Sequence, residues 1–94
     1  MKINFNQKLE SFDGKEVGIL KQFCIEPLLA TFPDEQNLAG EEKLRRFLLA
    51  SKIHWADGEA ELMAEEISLV KKLIGKGYGP LVVGQAWKML EGGK

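Results

Sequence analysis

The sequence predicts a small, mainly α fold: a short N-terminal β-hairpin followed by about four helices packed on one core. Three observations carry that expectation. Between Leu62 and Leu90 apolar residues recur at helical spacing, interrupted once by Gly75-Lys76-Gly77-Tyr78-Gly79-Pro80. Glu41 to Trp55 is the clearest single helix. From Ile3 to Leu9 apolar and polar residues alternate, as in a half-buried strand.

In chain order, Ile3, Phe5 and Leu9 point to one face and Asn4, Asn6, Lys8 and Glu10 to the other. Asp13-Gly14 is a turn signal, and Val17 with Ile19 supply a short returning strand. Such a hairpin is marginal alone and must lie on the helices. Leu20 to Phe32 has Leu20, Phe23, Cys24, Leu28 and Thr31 at helical spacing, with Pro27 inside. Proline removes one helical hydrogen bond and clashes with the carbonyl four residues back, that of Phe23. Either a helix runs from about Lys21 and kinks, or it begins near Cys24 with Pro27 in its first turn. The apolar face continues across the proline, which favours the kinked helix. Pro33-Asp34 ends it, and Asp34 to Gly40 is a polar loop.

In the next helix Leu44, Phe47, Leu48, Ser51 and Trp55 share the face expected to meet the core, widened by Leu49 and Ile53. Glu41 with Arg45, and Glu42 with Arg46, are spaced for ion pairs along it. Ala56 to Glu61 is an acidic loop. The following helix buries Met63, Ile67, Val70 and Ile74, with Leu62, Leu69 and Leu73 beside them; Glu65, Ser68 and Lys72 face water. Three glycines within five residues then end it, through the positive φ open to glycine. Pro80 opens the last helix, which packs through Leu81, Val82, Val83, Ala86, Trp87 and Leu90. Gly92-Gly93-Lys94 is expected to fray.

Ninety-four residues make one domain, 1–94, near the lower size limit for folding without staples. A hydrophobic share of 45% beside 29% charged residues argues against disorder, and a net charge of −1 gives no global pull toward nucleic acid or anionic membrane. A lone cysteine excludes an internal disulfide. The first residues lack a signal-peptide core, and no apolar run approaches a bilayer span, so a cytoplasmic location is expected.

The candidate sites are thin. Gly75 to Gly79 lacks the preceding strand and the following hydroxyl of a phosphate loop. Aligning Gly58 with the glycine of a calcium loop puts Ile53, Trp55 and Ala64 where oxygen ligands belong. One His and one Cys cannot close a zinc site. Cys24 assisted by His54 is a conceivable nucleophile, but a cysteine on an apolar helical face is usually a small buried hydrophobe. Arg45 and Arg46 have helical carboxylate partners. Residues 57–66 hold five acids and no base, which would repel phosphate. Lys71, Lys72, Lys76 and Lys88 form a smaller basic area, the basis of an alternative reading as a DNA-binding or regulatory protein.

Met1-Lys2-Ile3-Asn4-Phe5 with Asp13-Gly14-Lys15, Glu41 to Phe47, Ala64-Glu65-Glu66-Ile67 and Gly79 to Trp87 resemble small proteins of tailed temperate bacteriophages and prophages. Pro27 departs from that pattern. The resemblance implies a bacterial host cell and a setting in phage assembly, with tail-assembly chaperones the closest analogy in size and helical content. It implies no chemistry, because none of these segments carries a catalytic signature.

The expectation is therefore a non-enzymatic protein-interaction module. Catalytic, cofactor-binding and metal-binding residues are not expected. Its partner would be protein, either a second copy or another phage protein, rather than membrane or nucleic acid. The last helix has apolar residues on more than one stripe, so contact is expected across Val82, Ala86 and Met89 with Tyr78 at the rim.

Overall fold

The computed structural model describes residues 1–92. Strand β1 is Lys2–Asn4, β2 Lys8–Glu10, β3 Glu16–Ile19 and β4 Glu59–Glu61. Helix α1 is Leu20–Leu29, α2 Gly40–His54, α3 Ala64–Gly77 and α4 Pro80–Leu90; a 3-10 turn covers Pro33–Glu35. The fold is helix-dominated α+β, with an N-terminal hairpin and four helices, as the pattern predicts.

The alternating stretch from Ile3 to Leu9 is two strands rather than one. Between them Asn6 donates its backbone N–H to the Asn4 carboxamide at 2.9 Å, a local bond that bends the chain. Each piece then finds its own antiparallel partner. β1 pairs with β4, Ile3 opposite Ala60, and β2 pairs with β3, Leu9 opposite Gly18. The acidic loop after α2 thus contains a strand, which the sequence conceals because Glu59-Ala60-Glu61 has one apolar residue. Val17 is the extra residue of a bulge in the hairpin, opposite the Leu9–Glu10 step.

The bend also starts α1. Leu20 donates to the Gln7 carbonyl and Lys21 to that of Phe5, both at 2.8 Å, so two N–H groups that a helix start leaves unpaired are satisfied. α1 runs through Pro27, which rules out a start near Cys24, and it ends at Leu29, short of Phe32. Thr31 is exposed. The Lys21 ammonium reaches the other end of α2, donating to the carbonyls of His54 at 3.2 Å and Ala56 at 3.0 Å. It places a positive charge at the negative pole of that helix.

Helix α3 turns the face expected of it, with Leu69, Val70, Leu73 and Ile74 buried and Glu65, Ser68 and Lys72 in water. Met63, its N-cap, is exposed, and Ile67 is half-buried. Its end differs from expectation. Gly75 and Gly77 are helical, and neither they nor Gly79 has a positive φ. Gly75 is exposed, and a Cβ there would meet the Trp87 ring only at ordinary contact distance, 3.4 Å. The helix stops at Tyr78, and the extended Gly79 leads into Pro80 at the first position of α4. Phe5, Leu9, Leu20, Ile53, Leu73 and Leu90 are among the fully enclosed core residues. Gln85 fastens α4 to the hairpin by accepting from the Glu10 N–H at 3.0 Å and donating to the Glu10 carbonyl at 2.8 Å. Of the segment expected to fray, Gly93 and Lys94 lie outside the described residues.

Candidate interaction surface

Helix α2 is rotated relative to the expected facing. It buries Arg46, Leu49, Ala50 and Ile53. Leu44, Phe47 and Leu48 are each 56% exposed and Trp55 is 80% exposed. The stripe assigned to the core therefore lies on the outside.

The cause is an ion-pair cluster beneath the helix. Arg46, only 4% exposed, gives two parallel hydrogen bonds to the Glu35 carboxylate at 2.8 and 2.9 Å and one to Glu42 at 3.4 Å. A guanidinium is tolerated at such depth when its donors are met in this forked geometry. Lys76 joins from the end of α3, 3.2 Å from Glu35 and 2.9 Å from Asp34. The bonds from Arg46, supported by Lys76, hold the Glu35 carboxyl down to about 2. The 3-10 turn, α2 and α3 are thereby tied together, and the Arg46 side of α2 turns inward. Glu42 meets Arg46 as predicted, whereas Arg45 pairs with Glu42 at 3.3 Å instead of Glu41.

Once Arg46, Leu49, Ala50 and Ile53 face the core, helical geometry places Leu44, Phe47, Leu48 and Trp55 along the opposite ridge. A groove of about 500 Å³ borders the ridge on one side, with Leu44, Leu48 and the exposed Met63 in its walls. A second, of about 260 Å³, borders the other side, formed by Ile25, Leu29, Phe47, Ala50, His54 and Trp55. Leu29 is itself more than half exposed. Glu41 and Glu42 occupy the first turn of α2, where Arg45 and Arg46 hold Glu42, and Lys52 near its end pairs with Glu66 at 3.2 Å. His54 stacks edge-on against Trp55, ring centroids 4.6 Å apart.

The four residues expected to form an interface on α4 are placed differently. Ala86 is fully enclosed, and Val82, Met89 and Tyr78 are half-buried against the core. Tyr78 packs edge-on against Phe23, with centroids 5.1 Å apart, and donates its hydroxyl to Glu26 at 2.9 Å. Burial beside Glu26 raises its pKa. This stripe is the inward side of α4, so it offers no open apolar face. Trp87 is similarly committed, donating its indole N–H to the Lys71 carbonyl at 3.0 Å beneath the Lys71 ammonium. Of the two tryptophans, only Trp55 stands in the open.

The remaining candidates are also located. Cys24 is fully enclosed, and burial pushes its thiol up to about 12, so near neutral pH it is a thiol and not the nucleophilic thiolate. His54 lies on the exposed end of α2. Among the described residues, no three His, Cys, Asp or Glu side chains converge as a metal site would require. In the basic area Lys71 pairs with Glu91 at 2.6 Å, and Lys76 is held by Asp34 and Glu35. Among the described residues no helix is long and apolar enough to cross a membrane. Gly75 to Gly77 lie inside α3, so they form no phosphate-cradling loop.

No family model, curated protein or solved structure matches this chain.

Proposed function

We propose that this chain is a non-enzymatic protein-interaction module whose contact surface is the outer ridge of α2. The observation that carries the reading is the exposure of Leu44, Phe47, Leu48 and Trp55 along one side of a single helix. Single exposed apolar residues are ordinary, but Leu44, Phe47 and Leu48 clustered on one side of α2, with Trp55 at its C-cap, form a patch of the kind that another molecule covers. Trp55 and Phe47 are aromatic, the residue type enriched at the core of protein interfaces. The enclosed Cys24 and the ion-paired Lys71 and Lys76 favour this reading over catalysis or DNA binding. Together with the resemblance to small phage and prophage proteins, the reading we propose is that of an assembly factor acting in a bacterial host cell.

The test is affinity capture from a lysate of the native cell, comparing the natural chain with a Phe47→Glu, Leu48→Lys double variant. Both residues are more than half exposed, so circular dichroism should find the variant folded. The natural chain should retain a protein partner that the variant loses. Equal capture by both chains, or none by either, would sink the reading.

A further inference from the structure

We infer that the groove between α2 and the start of α3 receives an amphipathic helix of a partner protein, one whose apolar face is edged with lysine or arginine. The inference rests on the reading of the α2 ridge as an interaction surface and adds the chemistry of what covers it.

One wall of the groove is α2, which runs about 16 Å, roughly three turns, from Glu41 to Lys52; the other is Met63 with the first turn of α3. Leu44, Leu48 and Met63 are each more than half exposed along it, and the enclosed Leu49 lies at its base. Neither wall is a strand, so no backbone ladder is open to an incoming strand. A helix needs none, because it satisfies its own backbone groups and binds through the side chains of one face.

Charge then selects among apolar helices. The two cations of the groove are committed: Arg45 pairs with Glu42 at 3.3 Å and Lys52 with Glu66 at 3.2 Å. That leaves the carboxylates of Glu41 and Glu65, exposed in the first turns of α2 and α3. Among the described residues neither has an ion-pair partner. An apolar floor with two uncompensated carboxylates on its rim is complemented by apolar side chains flanked by positive ones. The same carboxylates repel an acidic helix, a phosphate backbone and an anionic membrane surface.

The test uses the whole chain and two synthetic peptides of about 18 residues, with leucine at helical spacing and either lysine or glutamate at the remaining positions. In fluorescence-anisotropy titrations the leucine–lysine peptide should bind roughly tenfold more tightly than the leucine–glutamate peptide. Glu41→Gln with Glu65→Gln should bring the two peptides within about twofold of each other. Glu10→Gln with Glu16→Gln removes the same charge from the exposed side of the hairpin and should leave the gap unchanged. Equal affinity of the natural chain for both peptides, or binding of neither, would overturn the proposal. So would a gap that survives Glu41→Gln with Glu65→Gln, or one that closes as far in the hairpin variant. If the peptides overturn it while Phe47→Glu with Leu48→Lys still abolishes capture of a cellular protein, the ridge remains a contact surface for a partner of other chemistry. If capture is also unaffected, both readings fall.

Discussion

Isoleucine and leucine are isomers, so truncating Ile53 and Leu48 to alanine removes the same number of carbons from one helix. Only their placement differs: Ile53 is fully enclosed and Leu48 is more than half exposed. Three buried carbons at ~0.8 kcal/mol each give about 2.4 kcal/mol of lost transfer energy for Ile53→Ala. An enclosed cavity adds to that, so the total should reach about 3–4 kcal/mol, inside the ~2–5 kcal/mol range of such truncations. Leu48→Ala loses less than half the transfer energy and leaves an open notch, so it should cost about 1 kcal/mol or less. Urea melts followed by far-ultraviolet circular dichroism separate the two. With a slope of ~1 kcal/mol/M for a domain of this size, the midpoint should fall by about 3 M for Ile53→Ala and by at most ~1 M for Leu48→Ala. Equal losses, or a larger loss for Leu48→Ala, would refute the facing of α2.

Acid should act through Glu35. Its folded carboxyl is held down to about 2 from an ordinary 4.5, so the stability it contributes is complete above 4.5 and is lost as pH falls from there toward 2. Glu35→Gln should therefore flatten the acid limb of a stability–pH curve while lowering stability at neutral pH; an unchanged limb would contradict the role. Gly18 lies in β3 at φ +152°, where a Cβ would come within 2.8 Å of the Phe23 ring, whereas Gly84 in α4 opens on free space. Gly18→Ala should lower stability by about 1–3 kcal/mol. Gly84→Ala should raise it by about 0.5–1 kcal/mol, and thermal melts that place the two changes in the opposite order would exclude this account.

How much of this was legible in the sequence depends on how one-sided each element is. In α3 the polar residues Glu65, Ser68 and Lys72 occupy one side, and the core falls where the apolar spacing puts it. Helix α2 is apolar nearly all round, from Leu44 through Phe47, Leu48, Leu49 and Ile53 to Trp55, so spacing alone leaves its rotation undetermined. An arginine counts as a surface residue in such a pattern. Here Arg46 goes inward because Glu35, eleven positions earlier, and Glu42 supply the paired acceptors. That long-range match is not visible as periodicity. The breadth of the apolar pattern was the available signal, since a helix with more apolar residues than one buried stripe can use must expose some. On α4 the same breadth suggested an open face, yet Ala86 is enclosed and Val82 and Met89 are half-buried against the core. Strand β4 exists because β1 needs a partner, a tertiary cause that Glu59-Ala60-Glu61 does not announce. For Gly75 the composition signalled a helix end, whereas α3 runs on through Gly77 and stops at Tyr78.

The account turns on which helix meets a second protein. Two-dimensional NMR of the isotopically labelled chain, alone and with the protein captured from the native cell, tests this most directly. The amides of Leu44, Phe47 and Leu48 and the indole of Trp55 should shift when that protein is added, while those of Val82, Ala86 and Met89 stay still. Shifts confined to α4, or no shift at all, would contradict it.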